Sequence, residues 1–232
     1  VDQLFPRVAV GMVTVLERLG LDVHYPIEQT CCGQPAFNTG YWDEARQVAT
    51  RHIEVFEKAN CDAIVAPSGS CTAMVRVFYK ELFTEVDMEF RKRMAMVTEN
   101  TFEFSEFLTK KLRVTDVGAR FPAKVTFHDA CHLLRELRCK DEPRRLLRAV
   151  KGLELVEMKE CETCCGFGGT FSVKFPMVST AMDDVKLRSI QETGAEYVVS
   201  CDSSCLMQME GYIKRQNLPV KTISLAEVLA ST

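Results

Sequence analysis

The sequence predicts an α/β protein of two similar lobes, each a small parallel sheet flanked by helices. Three observations carry that reading. The tetrapeptide Thr-Cys-Cys-Gly occurs twice, at Thr30 to Gly33 and at Thr163 to Gly166, 133 residues apart. Segments with apolar residues at helical spacing alternate with short β-rich runs, the pattern of a parallel sheet with covering helices. The CCG glycine precedes the cysteine that ends the next run by 38 residues in the first copy and 39 in the second. Matching spacings on that scale mark a duplicated unit. The lobes are expected over 1–115 and 116–232.

In chain order, Leu4 to Gly20 reads as a helix and Leu21 to Pro26 as a strand. Tyr41 to Asn60 is helical, with Ala45, Val48, Ala49, Ile53 and Phe56 on one face, and the apolar run Cys61 to Pro67 follows it into Cys71. Thr72 to Phe83 continues as helix. The second lobe opens with a strand over Lys124 to His128, helices through about Val150 and a strand over Leu153 to Met158. Val173 to Gly194 is its long helix, with Gly194 suited to the C-terminal cap. A run over Ala195 to Ser200 then leads into Cys201 and Cys205 and a helix over Leu206 to Gln216. Thr101 to Leu108 resembles Thr222 to Leu229, so the copies end alike. Nothing in the first lobe matches Lys124 to Cys131, and a strand and a cysteine are therefore expected ahead of Val1.

Composition narrows the function. The 232 residues are 47% hydrophobic and 26% charged, within the range of globular proteins. With 29 Lys and Arg against 32 Asp and Glu, the net charge of -3 offers no basic field for a nucleic acid. No apolar stretch approaches the ~20 residues that span a bilayer, no transmembrane segment is expected, and the location is read as cytoplasmic. Eleven cysteines are too few for a disulfide scaffold and, clustered and odd in number, point to metal or redox chemistry. No Gly-x-Gly-x-x-Gly follows a predicted strand, so neither a nicotinamide nor a flavin motif is visible. The ferredoxin-type run of closely spaced cysteines is also missing, so an ordinary cubane relay must come from a partner.

Five cysteines of the second lobe, Cys131, Cys164, Cys165, Cys201 and Cys205, fall at strand ends and the turns after them, where open α/β sheets place their ligands. Adjacent Cys164 and Cys165 can face one site only from a turn, which Gly166 permits. Five thiols with an adjacent pair exceed the tetrahedron of zinc and suit a polynuclear iron–sulfur centre. Cys161 forms Cys-x-x-Cys with Cys164, as a redox pair or replacement ligand or, the favoured reading, as a loop thiol beside the site. Cys61 and Cys139 are read as packing residues. His128 and His132 flank Cys131 as hydrogen-bond donors to cluster sulfur, proton carriers or structural groups, and Asp129 is expected to cap the following helix. Met94, Met96, Phe102, Phe104 and Phe107 read as core or subunit contact.

These cysteine spacings resemble the cysteine-rich CCG-domain iron–sulfur proteins, which include the cysteine-rich component of heterodisulfide reductase. The flanks Val1 to Pro6, Gln29 to Asn38, Phe127 to His132 and Cys164 to Phe171 are similar to those of the lactate utilisation iron–sulfur subunits within that family. The resemblance covers nearly the whole chain. It implies two α/β lobes and a subunit of a bacterial complex that oxidises L-lactate to pyruvate, with a companion ferredoxin-type iron–sulfur subunit and a further lactate utilisation subunit as partners. It also implies a [4Fe-4S] cluster, noncubane in the heterodisulfide enzyme, held by Cys131, Cys164, Cys165, Cys201 and Cys205. The first lobe departs from the pattern: Cys31, Cys32 and Cys71 remain, Pro67 or Ser68 stands in place of Cys201, and the leading cysteine would precede Val1. That set is an incomplete second site or a vestige kept for packing. Two other functions fit the residues, a thiol–disulfide reductase with an under-coordinated cluster iron and a zinc-held scaffold without enzymatic activity. No catalytic residue is assigned.

Overall fold

The computed structural model describes residues 3–232. Val1 and Asp2 of the N-terminal motif, and the strand and cysteine expected ahead of them, lie outside the described residues. The first half contains α1 (Pro6–Arg18), α2 (Gln34–Asn38), α3 (Trp42–Ala59), β1 (Ile64–Ala66), α4 (Gly69–Ala73), α5 (Tyr79–Leu82), α6 (Met88–Glu99), β2 (Thr101–Glu103) and α7 (Phe104–Glu106). The second contains β3 (Lys124–His128), α8 (Asp141–Ala149), β4 (Glu154–Leu155), α9 (Phe171–Lys174), α10 (Pro176–Glu192), β5 (Tyr197–Ser200), α11 (Ser203–Gln216), β6 (Lys221–Ser224) and α12 (Leu225–Ala230). Wide π-helical turns run over Met74–Phe78, Phe107–Lys111 and His132–Glu136. None of the described helices is long and apolar enough to cross a membrane.

Both sheets are parallel, as the strand–helix alternation requires. The second-half sheet has the order β4-β3-β5-β6, with Val125 paired to Leu155 on one side and to Tyr197 on the other. The chain moves outward from β3 to β4 and then returns to the opposite side of β3, so the direction of winding reverses between β3 and β5. Open α/β sheets place their ligands at such a reversal, outside the carboxyl ends of the two strands. The first-half sheet pairs β1 with β2, the counterparts of β5 and β6. Leu21 to Pro26 corrects the sequence reading: it forms no strand, although Leu21 and Val23 pack on the core. Its counterpart β4 is itself only two residues long and pairs with β3 alone, and among the described residues β1 has no strand neighbour besides β2.

Two cores lie behind the sheets. The smaller belongs to the first half, with Ala45, Ala49 and Ile53 of α3 against Met74, Tyr79, Leu82 and Val97. The larger draws on both halves: Val8, Met12, Val15 and Leu16 of α1 join Phe127, Val198, Val199, Leu206 and Leu229. Helix α1 starts at a proline, whose fixed φ and missing N–H suit a first turn, and lies along α12. Gly11 makes that approach possible, since a Cβ there would stand 2.9 Å from the Ala226 carbonyl oxygen. Arg18 then closes the C-terminal end of α12 by donating to the carbonyls of Leu229 (3.1 Å) and Ala230 (2.7 Å). Helix α8, the counterpart of α1, packs against α7 of the first half as well as against α12.

Candidate metal centre

The end of β3 supplies the first thiol. Asp129 does not cap the following turn, contrary to the sequence reading. It is buried, and each carboxylate oxygen accepts a 2.7 Å hydrogen bond from Arg144, which also binds Glu157 and lies over the Phe127 ring. This bidentate pairing satisfies a charge that burial would otherwise make costly. The Asp129 backbone N–H donates to the Cys161 carbonyl (3.0 Å), which draws the 160s loop against the strand end and sets Cys131 beside it.

The loop that carries Cys164 and Cys165 turns at Gly166, with φ +86°. No side chain fits there, because a Cβ would lie 2.7 Å from the Ser179 carbonyl oxygen of α10. Helix α10 holds the loop through a polar stripe. Ser179 Oγ donates to the Gly166 carbonyl (2.8 Å), Lys186 Nζ donates to the carbonyls of Glu160 and Cys161, and Ser189 Oγ accepts from the Glu160 N–H (3.0 Å). Asp183, on the same face, accepts from Gln208 of α11 at 2.8 Å, and burial raises its pKa to about 6. From the end of β5, Asp202 caps α11 and Cys205 enters its first turn.

Four of the five cysteines singled out in the second half come together. The Cys164 sulfur accepts hydrogen bonds from the thiols of Cys131 and Cys165 and lies 3.4 Å from the Gly166 N–H, which holds its pKa far below the usual thiol value. The Cys131 and Cys165 thiols are raised in turn, first by that shared hydrogen bond and then by contact with Cys205 or by burial. Cys165 and Cys205 sulfurs and a His128 ring nitrogen lie within 4.8 Å of one another. Among the described residues the His128 ring nitrogens have no hydrogen-bond partner of ordinary geometry, although the Cys161 backbone comes near them. Burial and the nearby Lys186 charge push its pKa down to about 3, so the ring is neutral and keeps a lone pair. Four thiols, an unsatisfied buried imidazole and a glycine cradle are a donor set that fits a bound metal group.

The structure keeps Cys201 out of that set. Its thiol is buried beside Glu103 and Ser105 at the junction with the first half, and burial pushes its pKa well up. Cys161 is a half-buried loop thiol and Cys139 is fully buried, with Lys110 Nζ at 3.5 Å. Cys61, read from the sequence as a packing residue, is instead exposed ahead of β1. In the first half, Cys32 lies in hydrogen-bonding contact with both Cys31 and Cys71, and the hydrogen bond from Cys32 lowers the Cys31 pKa to about 6. His132 stands between the two thiol groups. Its Nδ1 is 3.5 Å from the Cys131 sulfur and its Nε2 is 3.4 Å from the side chain of Gln34, two residues beyond Cys32.

Sequence reasoning missed Ser179, Asp183, Lys186, Ser189 and Gln208. Polar residues recurring at 179, 183, 186 and 189, in register with a helix, were the available signal.

The chain is similar to known proteins over most of its length. A family model described as "CCG: Cysteine-rich domain" matches residues 1–76 and 125–210. "Lactate utilization protein A" of Exiguobacterium sp. is 48% identical over 228 residues, 98% of this chain and 92% of that protein. The protein of that name from Geobacillus sp. is 42% identical over 231 residues, 100% of this chain and 95% of the relative. "Lactate utilization protein A 1" of Bacillus mycoides is 43% identical over 98% of this chain and 92% of its own length.

Proposed function

Because the chain belongs to the cysteine-rich CCG-domain family, we propose that it is the iron–sulfur redox subunit of a multi-subunit system oxidising L-lactate to pyruvate, with a [4Fe-4S]-type cluster in its second half. The relatives named for lactate utilisation support the substrate, and the observation that carries the site is the convergence of Cys131, Cys164, Cys165 and Cys205 beyond the carboxyl ends of β3 and β5. When bound, such a cluster supplies reversible one-electron storage. The chain's own residues hold it through these thiols, with His128 as the neutral donor beside Cys165 and Cys205. Backbone N–H groups near the thiols, Gly166 among them, are placed to hydrogen-bond to sulfur and tune its potential. Arg144, Lys186, Ser179 and Ser189 fix the segments that present the thiols. Cys31, Cys32 and Cys71 form a smaller second site.

Lactate gives up two electrons, so acceptors beyond this chain are required, and a ferredoxin-type iron–sulfur subunit and a further lactate utilisation subunit are the proposed partners. The cysteines are free, which suits a reducing compartment, and the cytoplasm is the proposed location.

The test is anaerobic purification of the chain alone and with its partner subunits, with iron, zinc and acid-labile sulfide measured and lactate-dependent reduction followed by visible absorption. Iron with matching sulfide, and bleaching on lactate addition in the reconstituted system, are expected. Stoichiometric zinc without sulfide would replace this reading with a metal-held scaffold. Turnover of a disulfide but not of lactate would replace it with a thiol–disulfide reductase.

A further inference from the structure

The two long helices that back the cysteine loops occupy equivalent places but are chemically unlike. Gly33 meets the carbonyl of Ala45 in α3 as Gly166 meets that of Ser179 in α10, which aligns the helices at an offset of 134 residues. On that register the polar stripe Ser179, Asp183, Lys186 and Ser189 corresponds to Ala45, Ala49, His52 and Val55.

Lys186 is fully buried. Its ammonium donates to two backbone carbonyls, of Glu160 and Cys161, and among the described residues it has no carboxylate in an ion pair. Burial lowers its pKa, and the groups that oppose this and favour the protonated form are chiefly the thiolate forms of Cys161, Cys165 and Cys205, with Glu160. A buried ammonium without a counter-ion is unfavourable, so its presence calls for negative charge at the site it borders. A cluster bound by several thiolates supplies that charge. In the first half the equivalent His52 is buried, and desolvation keeps its ring neutral, with a pKa of about 4.

We infer that Lys186 is a buried cation that offsets the negative charge of the group held by Cys131, Cys164, Cys165 and Cys205 and so raises its reduction potential, whereas His52 leaves the first-half thiols without such a charge. Reduction adds one electron to a centre that is already anionic, and a positive charge in a medium of low dielectric stabilises the added electron. Lys186 is thus a positioning residue for the 160s loop through its hydrogen bonds and a tuning residue through its charge. This inference rests on the iron–sulfur reading proposed above.

The experiment compares the full-length wild type with Lys186→Gln, Lys186→Met and Lys186→Arg, each loaded anaerobically with iron and sulfide and titrated with dithionite against redox dyes, the reduced centre being read by EPR. The glutamine keeps a donor for the loop carbonyls without the charge, and the arginine keeps the charge. We expect the glutamine and arginine variants to load like wild type and the methionine variant, which also gives up the donors to the loop carbonyls, to load less, its potential being read on the loaded fraction. The glutamine and methionine variants should show at least a tenfold lower ratio of reduced to oxidised centre at a fixed poise, a shift of about 59 mV for one electron, and the arginine variant a potential close to wild type. A wild type that takes up no iron and sulfide defeats the proposed function itself. A loaded wild type with Gln and Met variants of unchanged potential overturns the inference alone. So does loss of iron from a folded Gln variant, because a tuning charge leaves the ligands in place.

Discussion

Asp202 Oδ2 accepts a 3.0 Å hydrogen bond from Ser68 Oγ across the junction of the two halves. The two residues occupy equivalent positions 134 apart, each immediately before a helix that carries a cysteine in its first turn, Cys71 in α4 and Cys205 in α11. The two halves therefore meet at corresponding positions. The same carboxylate accepts from the Ser70 N–H (3.0 Å) and from Ser204 Oγ (2.6 Å), so one buried side chain fixes the starts of both helices.

Replacing Asp202 by alanine removes the acceptor of the half-buried Ser70 N–H and leaves the buried Ser68 hydroxyl only its contact with Ser70 Oγ. We expect a loss of about 2–4 kcal/mol in urea denaturation, with Asp202→Asn retaining part of it through its remaining carbonyl oxygen. An alanine variant as stable as wild type would show that the junction is not held by this residue.

The thiol set makes a second prediction. Cys165→Ser should abolish the visible absorption of the anaerobically loaded protein, while Cys61→Ser and Cys201→Ser keep it, because Cys61 is exposed and Cys201 faces Glu103. Iron content of the three variants decides the matter, and equal bleaching by all of them would reject the four-thiol arrangement.

Much of this site was legible beforehand. The repeated Thr-Cys-Cys-Gly gave the duplication, and Lys124 to His128, β-rich and bounded by Ala123 and Asp129, is the strand observed. The orientation of Cys201 was not legible. It follows β5 directly, and cysteines at 201 and 205 have helical spacing, but α11 begins only at Ser203, after an extended Asp202 that turns Cys201 toward the other half. Leu21 to Pro26 carries the residues of a strand, yet a strand also needs a neighbour to pair with, and local sequence does not report that. Helix α10 hid its role because its buried face is polar, and a search for apolar stripes passes over such a face.

The glycine at 166 can be tested against a control. Gly118 is exposed, with φ +76° and open space around it, so Gly118→Ala should cost only the roughly 1–2 kcal/mol of a left-handed conformation. Gly166→Ala adds a collision with the Ser179 carbonyl and should cost about 2–5 kcal/mol in thermal or chemical unfolding and lower iron uptake. Equal effects of the two substitutions would show that the cradle is not tight.

Glu103 predicts a pH dependence. It is fully buried, and desolvation raises its pKa to about 7 even though it accepts hydrogen bonds from Ser105 and from the Glu106 N–H. The folded state therefore binds a proton more tightly than the unfolded state. Stability from this residue is complete below pH 4.5, falls as pH rises from there, and is lost by about pH 7. The contribution is on the order of 3 kcal/mol. Glu103→Gln should flatten that part of the stability–pH curve relative to wild type, measured by urea denaturation between pH 4.5 and about 8. A wild type whose stability rises through the window in parallel with the variant would contradict the assignment.

The reciprocal packing of α1 on α12 and of α8 on α7 has a practical consequence for anyone who handles this molecule in pieces. Each half lends its opening helix to the other, so a cut in the connection near Gly118 should leave a nicked particle that migrates as one body until denaturant is added. Neither fragment expressed singly should yield a well-behaved species, because each would display the oily face its absent twin normally covers.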